Sequence, residues 1–302
     1  MTSSPQDEIE RYLKTGRCDL DYAAWPGTVF ERALRAHDDL RGALVAEVRR
    51  VAGSRGVPES LADLDVVAFT RRRVEPMVRG LFPRVEQEAV LAVLERSEVF
   101  LTSANLDEVL RSTRWDRTAW DLATLYLASV GADLLDDEAP RIVGLSEETT
   151  FFVSSEYFDE EDPFADFVVH EAAHVFHNCK RRTIGLRETR RREWLLDIEY
   201  RKRETFAYAC EAYARIVERA PRLAYRAALG VAFARERTTP TDDRVDRDEL
   251  VDIVRDAAAV RNGWKRILAR CAPPPQPTRA ERLASLRSRI GVDGLADGDR
   301  GG

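Results

Sequence analysis

The stretch that most constrains this chain reads Val169-His170-Glu171-Ala172-Ala173-His174-Val175-Phe176-His177, and it holds three of the chain's four histidines. On a helix, residues four apart share a face one turn from each other, so His170 and His174 can aim ring nitrogens at one metal ion. Glu171 then lies beside that ion without binding it, where a general base for an activated water belongs. His177 shares the face but lies two turns, about 10 Å of helix rise, from His170, so it reads as a cleft-lining residue or a support behind the ligands. The flanks agree with a helix: Asp162 can cap it, and Pro163 suits a first position whose amide has no partner. Steps of about 100° put Phe164, Val168, Ala172, Val175 and Cys179 on one side, to enter a core, and the histidines on the other. An ordinary amphipathic helix with surface histidines is the competing reading. With so few histidines to fall into this spacing, metal binding is preferred.

At 302 residues with 44% hydrophobic content, the chain can bury a sizeable core as one large or two modest domains. Charged residues make up 33% but the net charge is only -6, so no single field dictates a partner. No apolar run approaches the roughly 20 residues needed to cross a bilayer, and the first ten residues are polar. The expectation is a soluble, cytoplasmic protein with no membrane partner. Cys18, Cys179, Cys210 and Cys271 are scattered without a Cys-x-x-Cys pair, as reduced thiols would be.

In chain order, residues before about 25 are polar and expected to be only partly ordered, and Trp25-Pro26-Gly27 marks a turn. Thr28 can cap a helix to about residue 52. Helical patterns follow at 58 to about 74, 83 to about 96 and 106 to 111, with Pro76 breaking the first. His37, alone on a charged helix, reads as a surface residue. Residues 1–112 are expected to form a helical N-terminal region. An apolar helix around Trp120, Leu125 and Val130 ends at Gly131, and β-type runs at 141–145 and 149–155 flank a Ser-Glu-Glu turn. After the histidine helix, Lys180, Arg181, Arg182, Arg187, Arg190, Arg191 and Arg192 crowd a linker, with Arg201, Lys202 and Arg203 beyond. No base-stacking aromatics interleave this run and the net charge is negative, which argues against a nucleic-acid partner. A basic rim beside a cleft, favouring acidic substrate segments, is the milder reading. A long helix from about 193 to 219 would bury Leu195, Ile198, Phe206, Ala209, Tyr213 and Ile216, with Asp197, Tyr200, Glu204, Tyr208 and Glu211 opposite. The chain reads as helical again to about 270 with a polar break at 242–249. A Pro-rich linker at 272–277, a short peripheral helix at 278–290 and a frayed glycine-rich end complete it.

The order helix, strands, His-Glu-x-x-His helix resembles the N-terminal lobe of the zincin metallopeptidases over about residues 117–219. In gluzincins the third ligand is a glutamate on a downstream helix. Several bacterial members carry it in a Glu-x-Phe-Ala sequence, which Glu204-Thr205-Phe206-Ala207 resembles. The resemblance implies Zn²⁺ held by His170, His174 and Glu204, with Glu171 as the base; Glu211 is the competing third ligand. Tyr208 or Tyr200 would donate to developing negative charge. The run 151–155 would be the edge strand that pairs with an extended substrate. Tyr208 stands where thermolysin-like chains have an Asp, so the carboxylate that usually supports a ligand histidine comes from elsewhere or is absent. No Gly-x-x-His follows at the metzincin distance.

The expected fold is α+β and mostly helical. It comprises the N-terminal region at 1–112, a zincin-like domain with a small sheet and the HExxH helix at 113–271, and a Pro-rich linker and flexible tail at 272–302. The expected function is a cytoplasmic zinc metallohydrolase, a peptidase acting on peptide or protein substrates. Two histidines and a carboxylate are also the ligands of non-haem Fe(II) oxygenases, some of which modify peptides through an HExxH motif. A non-catalytic binding protein with a relic metal site is the third reading.

Overall fold

Residues 3–53, 58–139, 142–189, 192–236 and 242–274 are described by the computed structural model. The N-terminal half carries helices α1 (Pro5–Thr15), α2 (Val29–Ala52), α3 (Glu59–Ala62), α4 (Val66–Leu81) and α5 (Arg84–Leu94), strand β1 (Glu98–Phe100), and helices α6 (Leu106–Ser112) and α7 (Asp116–Ser129). Strands β2 (Gly144–Glu147) and β3 (Thr150–Val153) lead to α8 (Phe167–Asn178), α9 (Arg203–Arg219), α10 (Leu223–Glu236), α11 (Arg247–Ala258) and α12 (Gly263–Cys271). Short 3-10 turns occupy Ser155–Asp159, Arg181–Ile184 and Tyr200–Lys202. The fold is thus α+β and mostly helical. No helix among the described residues is long and apolar enough to cross a membrane.

Local chemistry accounts for most helix starts. Ser4 with Asp7 and Thr28 with Glu31 form reciprocal capping boxes at α1 and α2. Residues 3–25 are therefore ordered, against expectation. Tyr12 is fully buried and its hydroxyl donates to the Asp116 carbonyl at 2.7 Å, an anchor that one aromatic in a polar stretch does not announce. Asp116 also accepts from Arg41 at 2.7 Å and Tyr22 at 3.0 Å; partly exposed His37 lies 3.3 Å from it. Pro76 does not break its helix: α4 runs through it. Val74, Met77, Val78 and Leu81 are all buried, and four such side chains at about 1.5–3 kcal/mol each outweigh the roughly 3 kcal/mol an internal proline costs.

Two cores meet at a three-stranded sheet of order β1-β3-β2. Strand β3 is central, parallel to β1 (Val99↔Phe152) and antiparallel to β2 (Leu145↔Phe152). Its side chains alternate: Phe151 and Val153 enter a core with α4, α5, α8, α9, α11 and α12, and Phe152 enters one with α1, α2, α6 and α7. Packing crosses the expected boundary at residue 112: α4 packs against α8 and α5 against α4, whereas α7, placed in the downstream domain by its sequence, packs with α2. The run 151–155 is likewise not the edge strand, because β1 and β2 occupy both its sides; β2 is the edge beside α8. Strand β1 had no sequence signal, since its three residues pair far downstream. The hairpin turn falls at Glu148, with φ of 52°, one residue later than the Ser-Glu-Glu reading places it.

Three further expectations are corrected. Helix α8 starts at its cap Asp166, whose carboxylate accepts from Val169 N–H, while Asp162 closes a turn onto Phe164 N–H. Helix α9 starts at Arg203: residues 193–199 are irregular and lead into the 3-10 turn at Tyr200–Lys202, with Leu195 and Leu196 amides bonding the Cys179 and Phe176 carbonyls. Leu195 and Ile198 are buried without being helical. Arg181 is not on a basic rim. It is 2% exposed and bonds Glu86 of α5 at 2.5 Å and the Arg187 carbonyl at 2.9 Å. Arg141, Arg190, Arg191 and the expected C-terminal helix and tail from 275 lie outside the described residues.

A Cβ at Gly80 of α4 would collide with three atoms of the Trp264 side chain, itself 5% exposed. Alanine is favoured over glycine in a helix by about 1 kcal/mol, so any loss isolates the overlap. Gly80→Ala is expected to destabilise by about 1–3 kcal/mol in denaturant unfolding; a gain would show that α12 yields freely.

Glu98 on β1 is buried, hydrogen-bonded by the Thr70 hydroxyl, and its Oε1 has no partner. Burial raises its pKa from 4.5 to about 8, against the Thr70 bond. A carboxyl raised on folding stabilises the native state in its protonated form. That contribution is complete below about pH 4.5 and is lost as pH climbs through about 8. Glu98→Gln, which keeps the neutral shape, should therefore gain stability relative to wild type between pH 5 and 9, whereas parallel pH–stability curves would contradict the assignment.

Candidate metal centre

Helix α8 is buried at every position from Phe167 to His177 except His170, which is partly exposed. Its apolar residues face the core as the 100° spacing requires, and α9 covers the histidine side. Helix α9 is alanine-rich where it meets α8, with Ala207, Ala209 and Ala212 buried, so the two backbones approach closely enough for their long polar side chains to meet.

Three ligand atoms converge there. His170 Nε2 and His174 Nε2 are 3.2 Å apart, and Glu204 Oε2 lies 3.4 Å from His174 Nε2 and 3.8 Å from His170 Nε2. Two donors at about 2.0–2.1 Å from one zinc ion, at a tetrahedral angle, stand roughly 3.3 Å apart. The triangle fits such an ion, and these three residues form the only group of this kind found among the described residues.

The carboxylate that supports a ligand histidine is Glu211, seven residues after Glu204. Its Oε2 meets His170 Nδ1 at 2.9 Å, and its Oε1 accepts the Asp166 N–H at 2.8 Å. Glu211 thus faces the far side of the ring, away from the point where the two Nε2 atoms and Glu204 Oε2 converge. Arg215, one helical turn beyond Glu211, bonds Glu218 at 2.9 Å. His177 stands behind His174, with Nε2 3.0 Å from His174 Nδ1 and Nδ1 3.1 Å from Asn178 Oδ1. One proton assignment satisfies the three Nδ1 contacts: Nδ1–H of His170 donates to Glu211, Nδ1–H of His174 to His177, and Nδ1–H of His177 to Asn178. Both ligand Nε2 lone pairs are then free for a metal.

The charges favour a cation at this point. Burial works against charge on His170, yet the Glu204 and Glu211 carboxylates outweigh it and raise its pKa to about 10. Burial also raises Glu204, but its bonds from His170 and His174 prevail and hold it well below the usual carboxylate range. His177 is pushed down to about 3 by burial and by His174 and Arg203, so it stays neutral and can accept at Nε2.

Glu171 is 6% exposed, and burial raises its pKa above the ordinary value against the pull of His174 and His170. It abuts the sheet edge: a Cβ on Gly144 would lie 2.6 Å from Glu171 Cγ and Oε1. Tyr208 packs edge-on to His170, ring centres 4.4 Å apart, and burial raises its hydroxyl pKa. Tyr200 is not in the site. It lies ahead of α9 rather than one turn below Glu204, 79% exposed, with Arg203 over its ring. The groove adjoining Val143 and Phe167 is lined by Glu156, Asp159, Glu160 and Glu161, not by the basic run.

Sequence reading missed Arg244, which pairs with Glu204 Oε1 at 2.8 Å, and Arg73 of α4, which bonds Asp166 and reaches Glu218 at 2.6 Å. Neither sits in a motif or a periodic pattern that could have flagged it. Comparison with protein families, curated proteins and solved structures finds no match.

Glu204→Ala should abolish tight Zn²⁺ binding in a competition titration with a chromophoric chelator, because it removes a ligand atom. Glu211→Ala should weaken binding by about 10–100-fold, the usual effect of removing a hydrogen-bond partner behind a metal ligand. The reverse ranking would exchange the two assignments.

Proposed function

We propose that this chain is a zinc-dependent hydrolase that cleaves peptide bonds, a metallopeptidase resembling the gluzincins. The observation that carries the reading is the convergence of His170 Nε2, His174 Nε2 and Glu204 Oε2, with Glu171 buried beside them and bonded to none of the three. A zinc ion held by those three atoms would polarise a carbonyl and bring the pKa of a water to about 7.

The remaining chemistry belongs to the chain's own residues. Glu171 takes the water's proton as the carbonyl is attacked and delivers it to the departing amine. Its burial keeps that proton affinity above an exposed carboxylate's, which suits a group that must accept and then release. The Tyr208 hydroxyl, its pKa raised by burial, stays protonated and is the candidate donor to negative charge developing on the carbonyl oxygen. Strand β2, at the edge and beginning beside Glu171, would bind an extended peptide through its free backbone groups.

The same two nitrogens and one oxygen would also suit Fe(II). Glu171 supplies the buried base that hydrolysis requires, and the identity of the bound metal separates the two readings. The four free cysteines favour a reducing compartment, in keeping with a cytoplasmic protein.

Protein purified without added metal is expected to carry about one zinc per chain; iron would favour the oxygenase, and no metal a binding protein. Glu171→Gln should retain that zinc while losing about 10²–10⁴-fold in turnover of a peptide library. Gly144→Ala, whose Cβ would displace the Glu171 side chain, should likewise keep the metal and lose turnover. Full activity in Glu171→Gln would sink the mechanism.

A further inference from the structure

Glu204 uses only one oxygen toward the histidines. Oε2 faces the two Nε2 atoms, while Oε1 turns away and pairs with Arg244 NH1 at 2.8 Å. Arg244 is in turn held by Asp242: Nε donates to Oδ1 at 2.9 Å and NH2 to Oδ2 at 2.7 Å, and the Arg244 backbone N–H reaches Oδ1 at 2.8 Å. The guanidinium is therefore fixed along one edge by a two-point carboxylate contact and presents its remaining nitrogen to Glu204.

We propose that Arg244 is a positioning residue that makes Glu204 a one-oxygen ligand and so keeps the metal four-coordinate, with water as its fourth ligand. This rests on the metal-centre reading above. The reasoning is geometric. A carboxylate free to rotate can chelate through both oxygens, and with His170, His174 and a water that would raise the ion from four-coordinate to five-coordinate. An oxygen already accepting from a guanidinium is a poor second ligand. Asp242 balances the arginine's charge, so the donor operates without placing a net cation beside the metal. A lysine would supply the donor but not the fork that fixes its direction.

Co²⁺ provides a readout independent of turnover, because its visible bands are strong when four-coordinate and weak at higher coordination. Wild-type protein should bind one Co²⁺ with strong bands. In Arg244→Ala the bands should fall severalfold as Glu204 chelates through both oxygens, and in Asp242→Asn they should fall less. Arg244→Lys, which keeps one donor within reach of Oε1, should restore most of the intensity. The Arg244 side chain is 69% exposed, so the melting temperature of the metal-free Arg244→Ala protein should match wild type. Identical bands in wild type and Arg244→Ala would overturn this inference alone. So would failure of lysine to restore them, since the effect would then belong to lost packing. A wild-type chain that binds no Co²⁺ would instead overturn the metal centre itself.

Discussion

The Glu211 carboxylate, buried between α8 and α9, is the contact on which the site depends. A carboxylate at 6% exposure is costly unless both oxygens are satisfied. One is met by His170 Nδ1 and the other by the Asp166 N–H at the start of α8. The same two bonds fix the His170 tautomer, the position of α9 on α8, and the aim of both helices' polar side chains. Asp166 caps α8 with its own carboxylate and is bonded by Arg73, so α4 from the N-terminal half is tied to the metal centre. A helical region that reads as peripheral in sequence is part of the site's support.

The sheet is the wall shared by two cores. Because β3 alternates its side chains between them, each core holds one face of a strand that neither could shift alone. Strand β2 lies on the free side of that wall against α8, and Gly144 is where strand and Glu171 come closest. For the base proposed here, a rigid edge serves better than a mobile loop would, since misplacement of a reacting group by an ångström carries a large rate penalty. Polar contacts around the ligands follow the same logic: His177, Asn178, Glu211, Arg244 and Asp242 each fix the direction of a group nearer the centre.

Spacing alone made the centre's core legible. A spacing of four between histidines on a helix places two ring nitrogens on one face whatever surrounds them, and the position of Glu171 follows from the same period. The apolar positions Phe206, Ala209, Tyr213 and Ile216 are buried as their spacing requires, because burying an apolar stripe needs no particular partner. Free cysteines and the capped start at Thr28 are local facts of the same kind.

What only the tertiary structure decided is whatever depends on residues far apart in sequence. Glu204 and Glu211 share a helical face two turns apart, and the crossing of α9 over α8 determines which one meets the Nε2 atoms and which meets Nδ1. Strand β1 and the order of the sheet, the passage of α4 through Pro76, the grouping of α7 with α2, and the reach of Arg244 to Glu204 each rest on such contacts. Periodicity carries information about which face of an element turns inward. It carries none about what waits there, because packing joins side chains whose positions along the chain bear no fixed relation to one another.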